Sequence, residues 1–295
     1  MSESSSLPRA LVVRSAGTNC DRELCRAFEL AGAAVSLVHL DALTADPSPI
    51  ERAELIGLPG GFSYGDDIAS GRIFAAKVRE RLYPSLAAAV ERGAPIIGVC
   101  NGFQVLVQCG LLPGPAAGEP WPRADAPSPS VALGDNAGGR FIDDWVRVRV
   151  EPHTRCVWTM DLDPGADERT MVLPVAHGEG RFVASEATLA SLEAGGQVAL
   201  RYGEDINGSA GRVAGICDAP RRGFGLLPHP ERYLQWTHHP SWTRLRAEGP
   251  WPPRPVRIGA ERTGAERAGA QQGVSEPPGL VMFRSAVRAA RALPV

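Results

Sequence analysis

Apolar residues in the first hundred positions follow two alternating rhythms. Short, nearly unbroken runs occur at Leu11-Val12-Val13, Val35-Ser36-Leu37-Val38, Ala53-Glu54-Leu55-Ile56-Gly57-Leu58 and Ala94-Pro95-Ile96-Ile97-Gly98-Val99. They predict buried strands. Between them Leu24, Ala27, Phe28 and Ala31 recur at helical spacing, and a second helical region is predicted from Ile73 to Arg92. Phe103 to Val107 begins a third helix directly after the fourth strand. Strands alternating with helices predict a parallel sheet covered on both faces, with functional loops at the strands' C-terminal ends.

The pattern changes after Gly110. Pro113 to Gly134 is rich in Pro, Ala and Gly and predicts a surface insertion. Trp145-Val146-Arg147-Val148-Arg149-Val150 alternates apolar and charged residues, as a half-exposed antiparallel strand does. Further strands are predicted at Gln197–Tyr202, Val213–Cys217 and Gly225–Leu227. Pro240 to Pro278 is poor in apolar residues and is expected to be mostly mobile. A final helix is expected over 281–293, with Phe283, Ala286, Val287 and Ala290 on one face.

The fourth strand ends in Gly98-Val99-Cys100-Asn101-Gly102-Phe103-Gln104. A cysteine with glycine two residues away on either side fits the sharp strand-to-helix turn that presents a nucleophile, because such a turn has no room for a Cβ at the flanking positions. The turn also sets the thiol at a helix N-terminus, where free N–H groups and the dipole favour negative charge.

Composition narrows the setting. The chain has 295 residues, 44% of them hydrophobic and 22% charged, with a net charge of -2. The charge argues against a nucleic-acid partner, and no apolar run reaches the roughly 20 residues of a membrane span. Met1 to Ser6 is polar, so a cytoplasmic protein is expected. Six scattered cysteines show no zinc-ribbon spacing. Cys20, Cys25, Cys109 and Cys217 are read as reduced, inert fillers or helix-face residues.

A thiolate that attacks an amide needs a base, a group that orients the base, and an oxyanion hole. Two segments carry a histidine with a carboxylate two residues later: Pro228-His229-Pro230-Glu231 and Ala176-His177-Gly178-Glu179. In extended chain, such residues project to one side. His229 is the better base, because the flanking prolines stiffen it and a strand from Phe224 to Leu227 delivers it to the sheet edge of Cys100. His177, next to Gly178, is read as a structural or substrate-contact residue. Oxyanion donors are expected from the Asn101 N–H and from the loop Gly60-Gly61-Phe62, chiefly Gly61. Asp66-Asp67 is assigned to the start of the following helix, and no metal site is expected.

These residues together resemble a class I (triad) glutamine amidotransferase. Longer words narrow the resemblance to the glutaminase components of phosphoribosylformylglycinamidine synthase. They are Gly17-Thr18-Asn19-Cys20-Asp21, Pro59-Gly60-Gly61-Phe62-Ser63-Tyr64-Gly65-Asp66-Asp67, Cys100-Asn101-Gly102-Phe103-Gln104, His177-Gly178-Glu179-Gly180-Arg181-Phe182 and Pro228-His229-Pro230-Glu231-Arg232. The similarity returns at Gly279-Leu280-Val281-Met282-Phe283-Arg284.

The resemblance implies one flavodoxin-like three-layer α/β sandwich over 1–295, a mostly parallel central sheet with a nucleophile elbow, and a smaller antiparallel extension. It implies that Cys100 attacks the side-chain amide of L-glutamine, with His229 moving protons and Glu231 orienting it. Gly60, Gln104, Asn136 and His177 are then expected to contact the glutamine. The ammonia is expected to pass to a synthetase subunit that uses ATP and Mg, with a small accessory subunit, to make formylglycinamidine ribonucleotide. No cofactor is expected in this chain, which shows no Gly-rich phosphate loop.

The segment Asn136-Ala137-Gly138-Gly139-Arg140-Phe141 departs from the family, which usually carries Ser or Cys where Gly138 stands. Two other readings share the elbow. The glutaminase of another class I amidotransferase lacks the Gly61-to-Asp67 word. A flavodoxin-like cysteine protein acting as chaperone, deglycase or redox sensor needs neither Gln104 nor a His229/Glu231 pair.

Overall fold

The computed structural model describes residues 6–122, 125–249, 251 and 276–292. The chain runs β1 (Arg9–Arg14), α1 (Asp21–Ala31), β2 (Ala34–His39), α2 (Leu40–Ala45), α3 (Ser48–Arg52) and β3 (Leu55–Leu58). Then α4 (Arg72–Lys77) continues through one wide π turn at Val78–Leu82 into α5 (Tyr83–Glu91), followed by β4 (Ile96–Val99) and α6 (Asn101–Gln108). The second half holds β5 (Ala132–Gly134), β6 (Ile142–Val150), β7 (Val172–His177), β8 (Arg181–Val183), α7 (Glu186–Ala194), β9 (Val198–Tyr202), β10 (Val213–Cys217) and β11 (Gly223–Leu226). Helices α8 (Trp242–Glu248) and α9 (Pro278–Arg291) complete the described chain.

One nine-stranded sheet, ordered β2-β1-β3-β4-β11-β10-β9-β6-β7, carries the architecture. From β2 to β11 all neighbours are parallel. From β11 to β7 all are antiparallel. A separate antiparallel pair, β5-β8, makes the small second sheet.

The helices lie on opposite faces, as the register shows. Gly57 stands opposite Ile97 and Leu58 opposite Gly98, so Gly57 and Gly98 face opposite sides. A Cβ on Gly57 would strike Leu24 and Phe28 of α1, whereas one on Gly98 would strike Leu106 of α6. The glycines let each helix approach its face of the sheet. On the α1 side, Phe28, Trp158 and Phe283 of α9 pack edge to face with centroids 5.2–6.2 Å apart.

The predicted elements of the first half are all present. The half-exposed strand extends further, to Ile142, with Val146, Val148 and Val150 buried and Arg147 and Arg149 exposed. The insertion at 113–134 is tied down more firmly than its composition predicted. Trp121 is buried, and the Arg79 guanidinium donates to the carbonyls of Gln108, Ala126 and Pro127. In the stretch expected to be mobile, Trp242–Glu248 is helical and Trp251 packs on Trp236 and His239. Residues 250 and 252–275 of that stretch lie outside the described residues. The last helix starts at Pro278, three residues before the expected 281. No helix among the described residues is long and apolar enough to cross a membrane.

Candidate active site

Cys100 sits between β4 and α6 with φ 49° and ψ -106°, a backbone that side-chain-bearing residues rarely adopt. Three features hold it there. Its N–H donates to the Leu226 carbonyl of β11 at 2.8 Å. A Cβ on Gly98 would come 2.5 Å from the Gly102 carbonyl oxygen, and one on Gly102 would come 2.0 Å from the Leu58 carbonyl oxygen. The two glycines are therefore required by space, as the sequence pattern predicted. The thiol is buried and lies 3.7 Å from the Ala176 carbonyl, to which it donates.

Strand β11 lies beside β4, so the chain leaving it brings His229 to the elbow. His229 has φ -104° and ψ 85°, outside the α region that a following proline disfavours but short of fully extended. Its N–H donates to the Pro174 carbonyl of β7 at 2.8 Å, so the antiparallel half of the sheet curls back to brace His229. The residues after it are not extended as expected, because Pro230–Arg232 forms a single 3₁₀ turn. The turn still delivers the carboxylate: Nδ1 of His229 lies 2.7 Å from Oε1 of Glu231, with both side chains buried.

A carboxylate accepts, so Nδ1 carries the proton and Nε2 is left facing the thiols. Nε2 has no hydrogen-bond partner among the described residues. Burial alone would disfavour charge on this imidazole. The Glu231 carboxylate and the nearby Cys100 and Cys20 thiols outweigh it and hold the pKa well above 6.5.

Gly60 is pressed into the same corner: a Cβ there would lie 2.7 Å from His229 Cε1 and 3.4 Å from Cys100 Cβ. Gly61 has φ 133° and bridges Thr18. Its N–H and that of Asn101 have no backbone acceptor among the described residues. The loop's curvature is fixed from outside, by Cys20 N–H donating to the Gly60 carbonyl, Phe62 N–H to that of Gly17 and Tyr64 N–H to that of Ala16.

The expected glutamine contacts turn out to be tied within the protein. Gln104 donates to the Glu179 carbonyl at 2.6 Å and accepts from Asn101 Nδ2 at 3.1 Å, linking α6 to the turn after β7. Asn136 is committed throughout. Its Nδ2 donates to the carbonyls of Arg140 and His177, and its Oδ1 accepts from Gly180 N–H and faces His177 Nδ1 at 3.1 Å. Asn136 therefore acts in this structure as the holder of His177, not as a free group facing the pocket. Burial, aided by repulsion from His229, keeps His177 neutral down to about pH 4. Its partner is Asn136, not Glu179, whose carboxylate lies 3.3–3.4 Å from Ser70 N–H.

Asp66 does serve the start of the next helix, accepting from Ser70 Oγ and Gly71 N–H, but it also accepts from Asn101 Nδ2 beside the elbow. Burial raises its pKa above 3.8.

Cys20 corrects the sequence reading most. It is not a filler: its sulfur accepts from the Arg232 guanidinium at 3.1 Å and lies against His229. Cys25 and Cys109 do behave as inert thiols, pushed by burial up to about 11 and about 12.

Residues 7–287 match the model of the CobB/CobQ-like glutamine amidotransferase domain. The chain belongs to this glutamine amidotransferase family. It is 44% identical over 227 residues to a phosphoribosylformylglycinamidine synthase subunit PurQ of Rubrobacter xylanophilus, covering 76% of this chain and 89% of the relative. A PurQ of Dehalococcoides mccartyi is 38% identical over 250 residues, 82% of this chain and 92% of that one. Among solved structures, a chain of PurLQS from Thermotoga maritima superposes with a TM-score of 0.61 at 34% identity, covering 82% of this chain and all of that chain. A putative GMP synthase subunit from Thermoplasma acidophilum, at 13% identity and a TM-score of 0.50, shares the fold.

Proposed function

We propose that this chain is the glutaminase subunit of phosphoribosylformylglycinamidine synthase, hydrolysing L-glutamine and passing the ammonia to a synthetase in purine biosynthesis. The observation that carries the reading is the line Glu231–His229–Cys100, drawn from β11 and β4 onto a strained elbow beside the Gly60-Gly61 loop. Cys100 Sγ attacks the amide carbon while the N–H groups of Asn101 and Gly61 receive the developing oxyanion. His229, held protonated by Glu231, gives its Nε2 proton to the leaving nitrogen, and ammonia departs from the thioester. Water then adds to the thioester as His229 takes its proton, releasing glutamate and restoring the thiolate–imidazolium pair.

The synthetase contributes ATP and Mg chemistry outside this chain, and a small accessory subunit completes the assembly. We place the complex in the cytoplasm, where Cys100 stays reduced. Gln104 and Asn136 shape the glutamine pocket by fixing the turn that carries His177 and Glu179.

The test is Cys100→Ala in the assembled complex. Glutamine-dependent synthesis is expected to vanish while synthesis from added ammonium persists. Retained glutamine use sinks the assignment. A companion pair separates the histidines: His229→Ala loses glutaminase turnover by orders of magnitude, whereas His177→Ala acts mainly on glutamine affinity or coupling.

A further inference from the structure

The glutaminase chemistry leaves Cys20 and Arg232 without a role, although both lie against the base. Cys20 Sγ, a ring nitrogen of His229 and a carboxylate oxygen of Glu231 all lie within 4.8 Å of one another, and all three residues are buried. Two of their atoms, His229 Nε2 and Glu231 Oε2, are buried without a hydrogen-bond partner among the described residues. A thiol, an imidazole and a carboxylate are the donor set of a borderline-soft dication, and bonds of about 2.0–2.3 Å require them to close by only about an ångström.

An open cleft of about 600 Å³, lined by Glu231, Arg232, Arg22, Glu23 and His238, lies alongside, and the buried Glu231 side chain is separated from solvent on that side by its neighbour Arg232. Arg232 occupies the electrostatic place of a cation. It donates to Cys20 Sγ, its Nε lies 3.6 Å from Glu23 at the surface, and about a third of its side chain is exposed.

We propose that Cys20, His229 and Glu231 form an inhibitory site for Zn²⁺ or a cation of its class, guarded by Arg232. A cation bound there loses no charge balance when Arg232 swings out to Glu23, because the thiolate and carboxylate it leaves are neutralised by the metal. Binding displaces the proton from the His229 nitrogen that the metal takes and breaks the Glu231 contact, and that proton and the Cys20 thiol proton are both released to solvent. Only the consequence for turnover rests on the function proposed above; the binding itself does not.

The test uses the full chain, freed of metal with a chelator and titrated with ZnCl₂ by calorimetry and against a chromophoric zinc indicator. One Zn²⁺ per chain is expected. Cys20→Ser and Cys20→Ala, each checked for an unchanged circular dichroism spectrum, are expected to weaken it by at least roughly 100-fold, the upper range for losing even an outer-shell partner. Arg232→Gln is expected to tighten it. Co²⁺ is expected to give a near-ultraviolet sulfur-to-metal band in the wild type that Cys20→Ser lacks, and Mg²⁺ no binding. Zinc binding that survives both Cys20 variants, or no stoichiometric binding at all, overturns the site. Binding that depends on Cys20 yet leaves glutaminase turnover intact supports the site and overturns the role given to His229.

Discussion

Replacing His177 with Asn should remove a loss of stability that the native chain suffers in acid. In the unfolded chain the imidazole takes up a proton near pH 6.5, while the folded protein refuses it until about pH 4. Between those values the unfolded state binds more protons, so this group makes stability rise with pH and fall as the solution is acidified. At about 1.4 kcal/mol per pH unit the whole gap is worth about 3 kcal/mol, of which about 2 kcal/mol falls between about pH 7.5 and about pH 5.

Asn is the chosen replacement because its amide NH₂ reaches the position of Nδ1 and keeps the bond to Asn136 Oδ1, so the variant loses the titration and little else. Asp218 works in the opposite sense. Burial raises its pKa from 3.8 to about 6, so over that interval the folded state holds the extra proton and gains stability as pH falls. The native curve is flattened by the two together, and only the difference between native and variant isolates His177. Urea midpoints of both proteins at the two pH values supply it. The stability cost of His177→Asn should shrink by about 2 kcal/mol on going to the lower pH. A cost that is the same at both refutes the claim that His177 is held neutral.

Two further substitutions test the elbow and its base. Glu231→Gln keeps the shape but offers an N–H to Nδ1, which favours the tautomer with its proton facing Cys100; glutaminase turnover in the complex should fall by roughly 10³–10⁴ with the melting temperature little changed. Gly102→Ala replaces a helical glycine, worth up to about 1 kcal/mol in propensity, but sets a Cβ 2.0 Å from the Leu58 carbonyl oxygen. The clash should win, lowering stability by about 3 kcal/mol in thermal unfolding, and a stabilised variant would show that α6 and β3 are not packed as described.

The parallel half of the sheet was legible because each of its signals is local. Runs such as Leu11-Val12-Val13 and Ile96-Ile97-Gly98-Val99 declare buried strands, and the Gly98/Gly102 pair declares a turn whose clash partners lie within the same β-α unit or on the next strand. The missed elements lacked such signals. Helices α2 and α3 have six and five residues, too few for a period to show. Strand β7 carries Pro174, which argues against a central strand. The proline is tolerated because β7 is the last strand in the sheet order, and its carbonyl is the one that receives the His229 N–H. Helix α7 has apolar residues but almost no amphipathic face, with Leu192 its one buried residue.

The side chains misread in sequence were those whose partners lie far along the chain. Cys20 resembles a filler until Arg232, 212 residues later, is set against its sulfur. Asn136 resembles a substrate ligand until His177, 41 residues later, is found to consume its amide. By contrast, His229 and Glu231 are two residues apart, and their pairing was predictable even though the backbone between them is a turn and not a strand. Cys100 and His229 also met as expected, because β4 and β11 are adjacent parallel strands whose C-terminal ends must coincide in space. A nucleophile on one such end and a base on the next are brought into reach by the roughly 4.8 Å spacing of the sheet. What sequence could not supply was the curl that returns β7 from the far edge to Pro174, His177 and the base. That curl depends on the summed twist of the antiparallel strands, a property of no single segment.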